Sequence, residues 1–370
     1  MSTKQYRSIL VAIPIVGLAL LLAISPTTVT MGQDPTDTPT LEPGVLKVTE
    51  PAGISDTWLQ WDKSACEFKE VSEHPDTWSA VLRESDAPYK VGYATQSETL
   101  SPILTLVDNN IRDNLAAAGL ELIYGNNDYP STTLPVSVAE TIALQKPDVF
   151  ISFNVLEAIM DAVNKPFRDG CVPVIQIEAT APGTIFFGTD NVISGKLAGS
   201  YLADYATKKG WTQVTALGVR QLNVGAALDA RITECQNAIV EKFPDAKVDN
   251  IISDSTATSQ TATADWLTAN PDAKGTLVCT MADIFAVGVA NAFKGANRTE
   301  EGAVMGMLAT ADSRALIKAG DSALVASVDF SFAYFGDYLV PIAQDILDGK
   351  PVPASINQAL TVIDSSNVDQ

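Results

Sequence analysis

Histidine is almost missing from this chain: His74 is the only one in 370 residues. That excludes most zinc and iron sites and most imidazole-dependent catalysis. Positive charge is scarce as well. Lys and Arg number 24 against 44 Asp and Glu, for a net charge of −20, and no stretch gathers the basic residues into a stripe. Such a surface repels phosphate backbones and anionic lipid, which excludes nucleic acid as a partner. The short patterns of enzyme chemistry are absent too. There is no G-x-S-x-G elbow, no phosphate loop ending in GKS or GKT, no H-E-x-x-H, and no G-x-G-x-x-G after a strand. No catalytic residue, metal ligand or cofactor is assigned.

What is present is apolar bulk. Hydrophobic residues make up 46% and charged residues 18% of the chain, enough for two ordinary domains, each with a core. At the start, Lys4 and Arg7 precede an apolar run from Ile9 to Ile24. Residues 1–32 read as a signal peptide or an uncleaved membrane anchor, so the chain is expected outside the cytoplasmic membrane. SPTTVTMGQDPTDTPTLEPG follows, a Thr/Pro-rich composition that resists packing and serves as a spacer. Residues 33–88 are read as this linker plus an N-terminal extension. The tryptophans at 58, 61 and 78 are expected to pack the extension onto the body, with His74 solvated.

From Tyr89 onward, short β-branched runs alternate with helical periodicity. Strands are expected at 89–94, 120–124, 148–153, 172–178 and 184–187, then at 213–218, 247–252, 275–280, 303–308 and 323–329. Between them lie helices such as 101–118, where Ile103, Leu104, Val107, Ile111, Leu115 and Ala118 recur at three- and four-residue steps. The fold class is α/β, with two similar units of parallel sheet covered by helices. FFGTDNVISGKLAG, residues 186–199, stands between the two five-strand blocks. Thr189 or Asp190 can cap the helix that starts there, and Gly195 and Gly199 let one face approach a neighbour closely.

Four cysteines complete the inventory, and their spacing excludes a zinc cluster. Cys66 precedes the first strand and Cys171 precedes VPVIQIE, which places both at one sheet edge, so a Cys66–Cys171 bridge is expected. Cys235 on an amphipathic helix and Cys279 on a buried strand are expected as free thiols.

The order of elements, the TDNVISGKLAG crossing and the ending LDGKPVP resemble the sugar-type solute-binding proteins of bacterial ABC importers, relatives of the ribose-binding protein. The resemblance covers roughly residues 89 to 365. It implies a type I periplasmic binding protein fold: two Rossmann-like lobes joined by a three-stranded hinge, with a ligand trapped between them. By resemblance the crossovers fall near Asp190, Phe330 and Asn357. One lobe is then 89–189 plus 331–357 and the other 190–330 plus 358–370. A monomer is implied that passes a sugar-like small molecule to an ABC permease.

In open parallel sheets, ligands bind beyond the C-terminal strand ends, where loops and helix N-termini converge. Those positions hold Ser97, Asn154, Glu178, Asp254, Asp283, Leu308 and Phe330, with Arg231 on the helix ARITECQNAIVEKF. Asn154 and Arg231 match the family pattern; Asn154, Glu178 and Arg231 would anchor the ligand by hydrogen bonds and Phe330 would stack on it. Several positions depart from the pattern. Glu178 stands for a shorter Asp, Ala179 for an Arg, Ile103 and Leu104 for aromatics, and Ala282, Leu308 and Phe330 for polar residues. The lining is thus less polar than a ribose site, and a less hydroxylated or amine-bearing solute fits it about as well. Structural roles compete at each position: Asn154 and Asp283 as helix caps, Arg231 in a surface ion pair, Leu308 and Phe330 as core. One other reading stays open, a receptor that feeds a sensor. Glu178 and Asp254 could form a glycosidase pair, but two acids in a cleft serve plain hydrogen bonding as well, and the chain is read as a binding protein, not an enzyme.

Overall fold

The computed structural model describes residues 44–98, 100–222 and 224–369. The apolar run at 9–24 and the Thr/Pro stretch up to residue 43 lie outside them. The N-terminal extension is ordered as five short strands: β1 (Val45–Thr49), β2 (Gly53–Ile54), β3 (Trp58–Asp62), β4 (Glu67–Glu70) and β5 (Ala80–Arg83). Trp58, Trp61 and Trp78 are all buried in the main core, which is what keeps this polar segment folded. Trp78 Nε1 also donates to Asp345 at 3.0 Å. Exposed His74 lies flat against Trp58, with ring centres 4.6 Å apart.

Two sheets follow. The first contains β6 (Lys90–Thr95), β7 (Glu121–Asn126), β8 (Val149–Ser152), β9 (Val174–Ile177) and β10 (Ile185–Gly188), all parallel. Helices α1 (Pro102–Ala117), α2 (Leu134–Ala143) and α3 (Glu157–Asp169) connect them. The periodic residues Leu104, Val107, Ile111 and Leu115 form the buried face of α1. After β10 the chain enters α4 (Asn191–Lys209) and builds a second parallel sheet from β11 (Thr215–Arg220), β12 (Lys247–Ile252), β13 (Thr276–Thr280), β14 (Gly302–Met307) and β15 (Leu324–Asp329). Its helices are α5 (Gly225–Lys242), α6 (Thr256–Ala269), α7 (Asp283–Gly295) and α8 (Ala311–Ala319).

From β15 the chain returns to the first sheet through α9 (Gly336–Leu347), which packs on α1 and β5. On the way β16 (Val352–Pro353) pairs with β3 in a separate three-stranded sheet, and β17 (Ser355–Asn357) joins the first sheet between β10 and β2. The last strand, β18 (Thr361–Asp364), crosses again and pairs antiparallel with β15. The strand orders are β2-β17-β10-β9-β8-β6-β7 and β12-β11-β13-β14-β15-β18. The protein is thus a two-lobed α/β structure crossed three times by the chain. Phe153, Phe187, Phe332 and Phe335 interlock near the crossings, with Phe187 and Phe335 ring centres 5.1 Å apart.

Both cysteine pairs are bridged. Cys66–Cys171 joins the extension to the loop before β9, with Cα atoms 4.8 Å apart. Cys235 and Cys279 are not free thiols; they form a second disulfide with a Cα separation of 6.1 Å. The expectation failed because each residue suits its own element. Helix α5 lies over β11 and β13, and that packing sets its buried Cys235 directly above buried Cys279.

Candidate functional site

A cavity of about 100 Å³ lies between the lobes, where the C-terminal ends of the two sheets face each other. Gln96 follows β6, Tyr129 lies beyond β7, Val155 beyond β8 and Glu178 after β9 on its wall. From the second sheet come Gln221 after β11, Asp254 beyond β12, Met281 after β13, Leu308 after β14 and Phe332 beyond β15. Nine strands therefore deliver residues to one small volume, the convergence that parallel sheets with a common polarity produce.

At its polar end the site is an ion pair between lobes. Arg231 Nη2 donates to Glu178 Oε2 at 2.6 Å, and both side chains are buried. The chain around 188–191 builds this pair. Glu178 adopts a positive φ of 64°, and a side chain at Gly188 would press on Glu178 Oε1 at 2.8 Å. Thr189 donates to Glu178 Oε1 twice, from N and Oγ1, each at 2.9 Å. Asp190 caps α4 by accepting from Ile193 N at 2.9 Å. Asn191 Oδ1 accepts from Arg231 Nε at 2.6 Å. Three consecutive residues thus hold the carboxylate, start the helix and hold the guanidinium. Burial pulls Arg231 below its ordinary pKa while Glu178 opposes the shift. The Phe330 ring covers the guanidinium face at 4.6 Å.

A second polar grouping joins the lobes without charge pairing: Gln221 Nε2 donates to Tyr129 OH. Asp254, on the cavity wall, accepts from Thr258 Oγ1 at 2.8 Å. Apart from Gln96 and Ser101 the remaining wall is apolar, including Leu104, Phe153, Met281, Ile284, Leu308 and Phe332.

Of the residues singled out from sequence, Glu178, Arg231, Asp254 and Leu308 line the cavity, as do Ile103, Leu104 and Ala282. Ser97, Asn154, Asp283 and Phe330 do not. Ser97 is buried next to the wall residue Gln96. Asn154 forms a turn before α3, its Oδ1 accepting from Leu156 N at 3.3 Å. Asp283 is wholly enclosed at the start of α7 and accepts from Thr310 N, Ser313 Oγ and Ser327 Oγ at 2.6, 2.6 and 2.7 Å. Phe330 sits behind Arg231 rather than on the wall. Phe332, two residues on, takes the wall position. Sequence reasoning missed Gln96, Tyr129, Gln221 and Phe332. The first and third directly follow strands and were reachable from strand ends alone; the other two lie deeper in loops.

Residues 95–351 match the family model described as a periplasmic binding protein domain. The chain belongs to this family. Solved structures agree on the fold of these periplasmic binding proteins. A glucose-galactose binding protein from Geobacillus stearothermophilus superposes with a TM-score of 0.69 at 20% identity, over 77% of this chain and 100% of that one. A solute-binding protein of an ABC transporter from Mycobacterium smegmatis with bound glycerol gives 0.67 at 21% identity, over 76% and 96%. One from Bacillus halodurans with bound myo-inositol gives 0.64 at 18% identity, over 77% and 97%. A search among curated proteins finds no sequence that matches. The type I binding-protein fold, with two parallel-sheet lobes, is thereby established. Among the described residues, no helix is long and apolar enough to cross a membrane.

Proposed function

We propose that this protein captures a small solute, sugar-like or less hydroxylated, outside the cytoplasmic membrane and delivers it, unaltered, to an ABC permease. One observation carries the reading: a cavity to which both lobes contribute, with buried Glu178 from one side and buried Arg231 from the other. The lobes divide at the three crossings near Asp190, Phe330 and Asn357. A ligand held by one lobe gains the second lobe's contacts only on closure, so binding shifts the open–closed equilibrium. Glu178 accepts from ligand hydroxyls and Arg231 donates through its remaining N–H groups. The acidic surface keeps the protein monomeric and away from nucleic acid. The names of structurally similar proteins, which bind glucose and galactose, glycerol or myo-inositol, support a polyol-like ligand.

A thermal-shift screen over sugars, polyols, nucleosides and amines tests this. A ligand at about 100 times its Kd stabilises the folded state by about 2.7 kcal/mol, a clear rise in Tm. A flat response across all classes, with scattering curves indifferent to every compound, rejects solute capture.

A further inference from the structure

Within that reading of solute capture, on which it rests, we infer that the ligand is a compact, uncharged and hydroxyl-poor molecule, such as a vicinal diol on an otherwise apolar carbon skeleton. Most of the cavity wall cannot hydrogen-bond: Leu104, Met281, Ile284, Phe285, Leu308 and Phe332 surround it. Five of the seven polar side chains on the wall already have hydrogen-bond partners, which leaves Gln96 and Ser101 for a ligand with few hydroxyls. Glu178 is engaged by Thr189 and Arg231, Tyr129 by Gln221, and Asp254 by Thr258. Arg231 spends one donor on Asn191, one on Glu178 and one on the Met281 carbonyl at 3.3 Å. A ligand hydroxyl brought against the apolar wall would lose its water and find no partner, which opposes binding of a fully hydroxylated ring.

The conformation of Leu308 points the same way. Its φ is 101°, a region where Asn, Asp and Gly are far better suited than Leu. A large apolar side chain held there on the cavity wall marks a place where an uncommon backbone accompanies a site. Charge leads to the same ligand class. Glu178 and Arg231 neutralise each other at 2.6 Å, so neither is left to bind an ion, and Asp254, the third charged residue on the wall, is exposed to solvent. At about 100 Å³ the space between the lobes suits a compact molecule, with the lobes closing on its apolar face.

Matched pairs test the inference with the intact protein. Butane-2,3-diol is compared with erythritol, and cis-cyclohexane-1,2-diol with myo-inositol, by calorimetry. Each pair shares a carbon skeleton and differs in hydroxyl number. At least tenfold tighter binding of the diol in either pair is expected, and in Leu308→Asn that preference should fall at least tenfold. Equal or tighter binding of erythritol, myo-inositol or a hexose overturns the hydroxyl-poor assignment while leaving solute capture standing. Silence from both pairs overturns it as well, and silence across the wider screen removes solute capture with it. The wild-type comparison is decisive even if the variant does not fold.

Discussion

Arg231 Nη2 and Glu178 Oε2 meet at 2.6 Å across the junction of two lobes, one reaching from α5 and the other from the end of β9. The pair is enclosed, so its members depend on each other. Buried charges are tolerated when paired and further hydrogen-bonded, and costly when one partner is removed. Here Thr189 satisfies the carboxylate, and Asn191, Met281 and Phe330 surround the guanidinium.

Arg231→Ala should weaken binding of the best ligand by about 1.5–3 kcal/mol, the range for a hydrogen bond to a charged group. Calorimetry on the variant and the parent checks it, and an unchanged affinity would show that Arg231 is only a structural partner of Glu178. Removing either charge alone should also lower stability, by about 3–5 kcal/mol, because the other is left buried. The double variant Glu178→Gln with Arg231→Met should recover much of that loss in denaturant unfolding. A loss equal to the sum of the singles would mean that the two side chains are not coupled.

The Cys235–Cys279 bridge closes a loop with a sequence separation of 44 between α5 and β13. Constraining the unfolded chain to that extent corresponds to about 2–4 kcal/mol. Cys235→Ala with Cys279→Ala should therefore lower the unfolding free energy by this amount, seen as a lower denaturant midpoint. Alkylation of the unfolded parent protein without reductant should label no thiol. Labelling at Cys235 and Cys279 would mean that this second bridge does not form.

Much of the architecture could be read from local pattern. The β-branched runs and the three- and four-residue steps of α1 are properties of single elements, and they located every strand of the two parallel blocks to within a few residues. Positions that depend on how elements stack were harder to see. Cys235 and Cys279 each look like ordinary core until α5 is laid over β13. Phe330 directly follows β15, so sequence places it at the site, yet the chain turns it beneath Arg231 and presents Phe332 instead. Glu178 and Arg231 were both legible as site residues, but not as a pair, because 53 residues separate them. The packing of the extension was legible in its three tryptophans, Trp58, Trp61 and Trp78, which are buried, but its strands were not, because they are short and polar.

Gly199→Ala sets two effects of known size against each other. Alanine gains about 0.8–1.0 kcal/mol of helix propensity over glycine. At this position in α4, however, an added methyl would overlap the Cys235 carbonyl oxygen and lie 2.8 Å from Ala238 Cβ. Overpacking of that kind costs about 1–3 kcal/mol and the obstacle is backbone, which cannot swing aside. Net destabilisation is expected in thermal or urea unfolding. A rise in Tm would show that α4 and α5 separate easily.

Asp283 should give stability a specific pH dependence. Burial raises its carboxyl pKa from the ordinary 3.8 to about 6, outweighing the donors Ser313, Ser327 and Thr310 that favour the anion. The folded state thus holds this proton more tightly than the unfolded chain does. The resulting stabilisation is fully present below about pH 3.8 and is lost as pH rises through about 6. Asp283→Asn cannot ionise at this position and lacks that slope. In paired denaturant titrations the parent should lose stability relative to Asp283→Asn as pH is raised from about 4 to 6, with a constant gap above about 7. A gap moving the opposite way across this window would show that the three donors win, and that the carboxylate is held as an anion in the enclosed site.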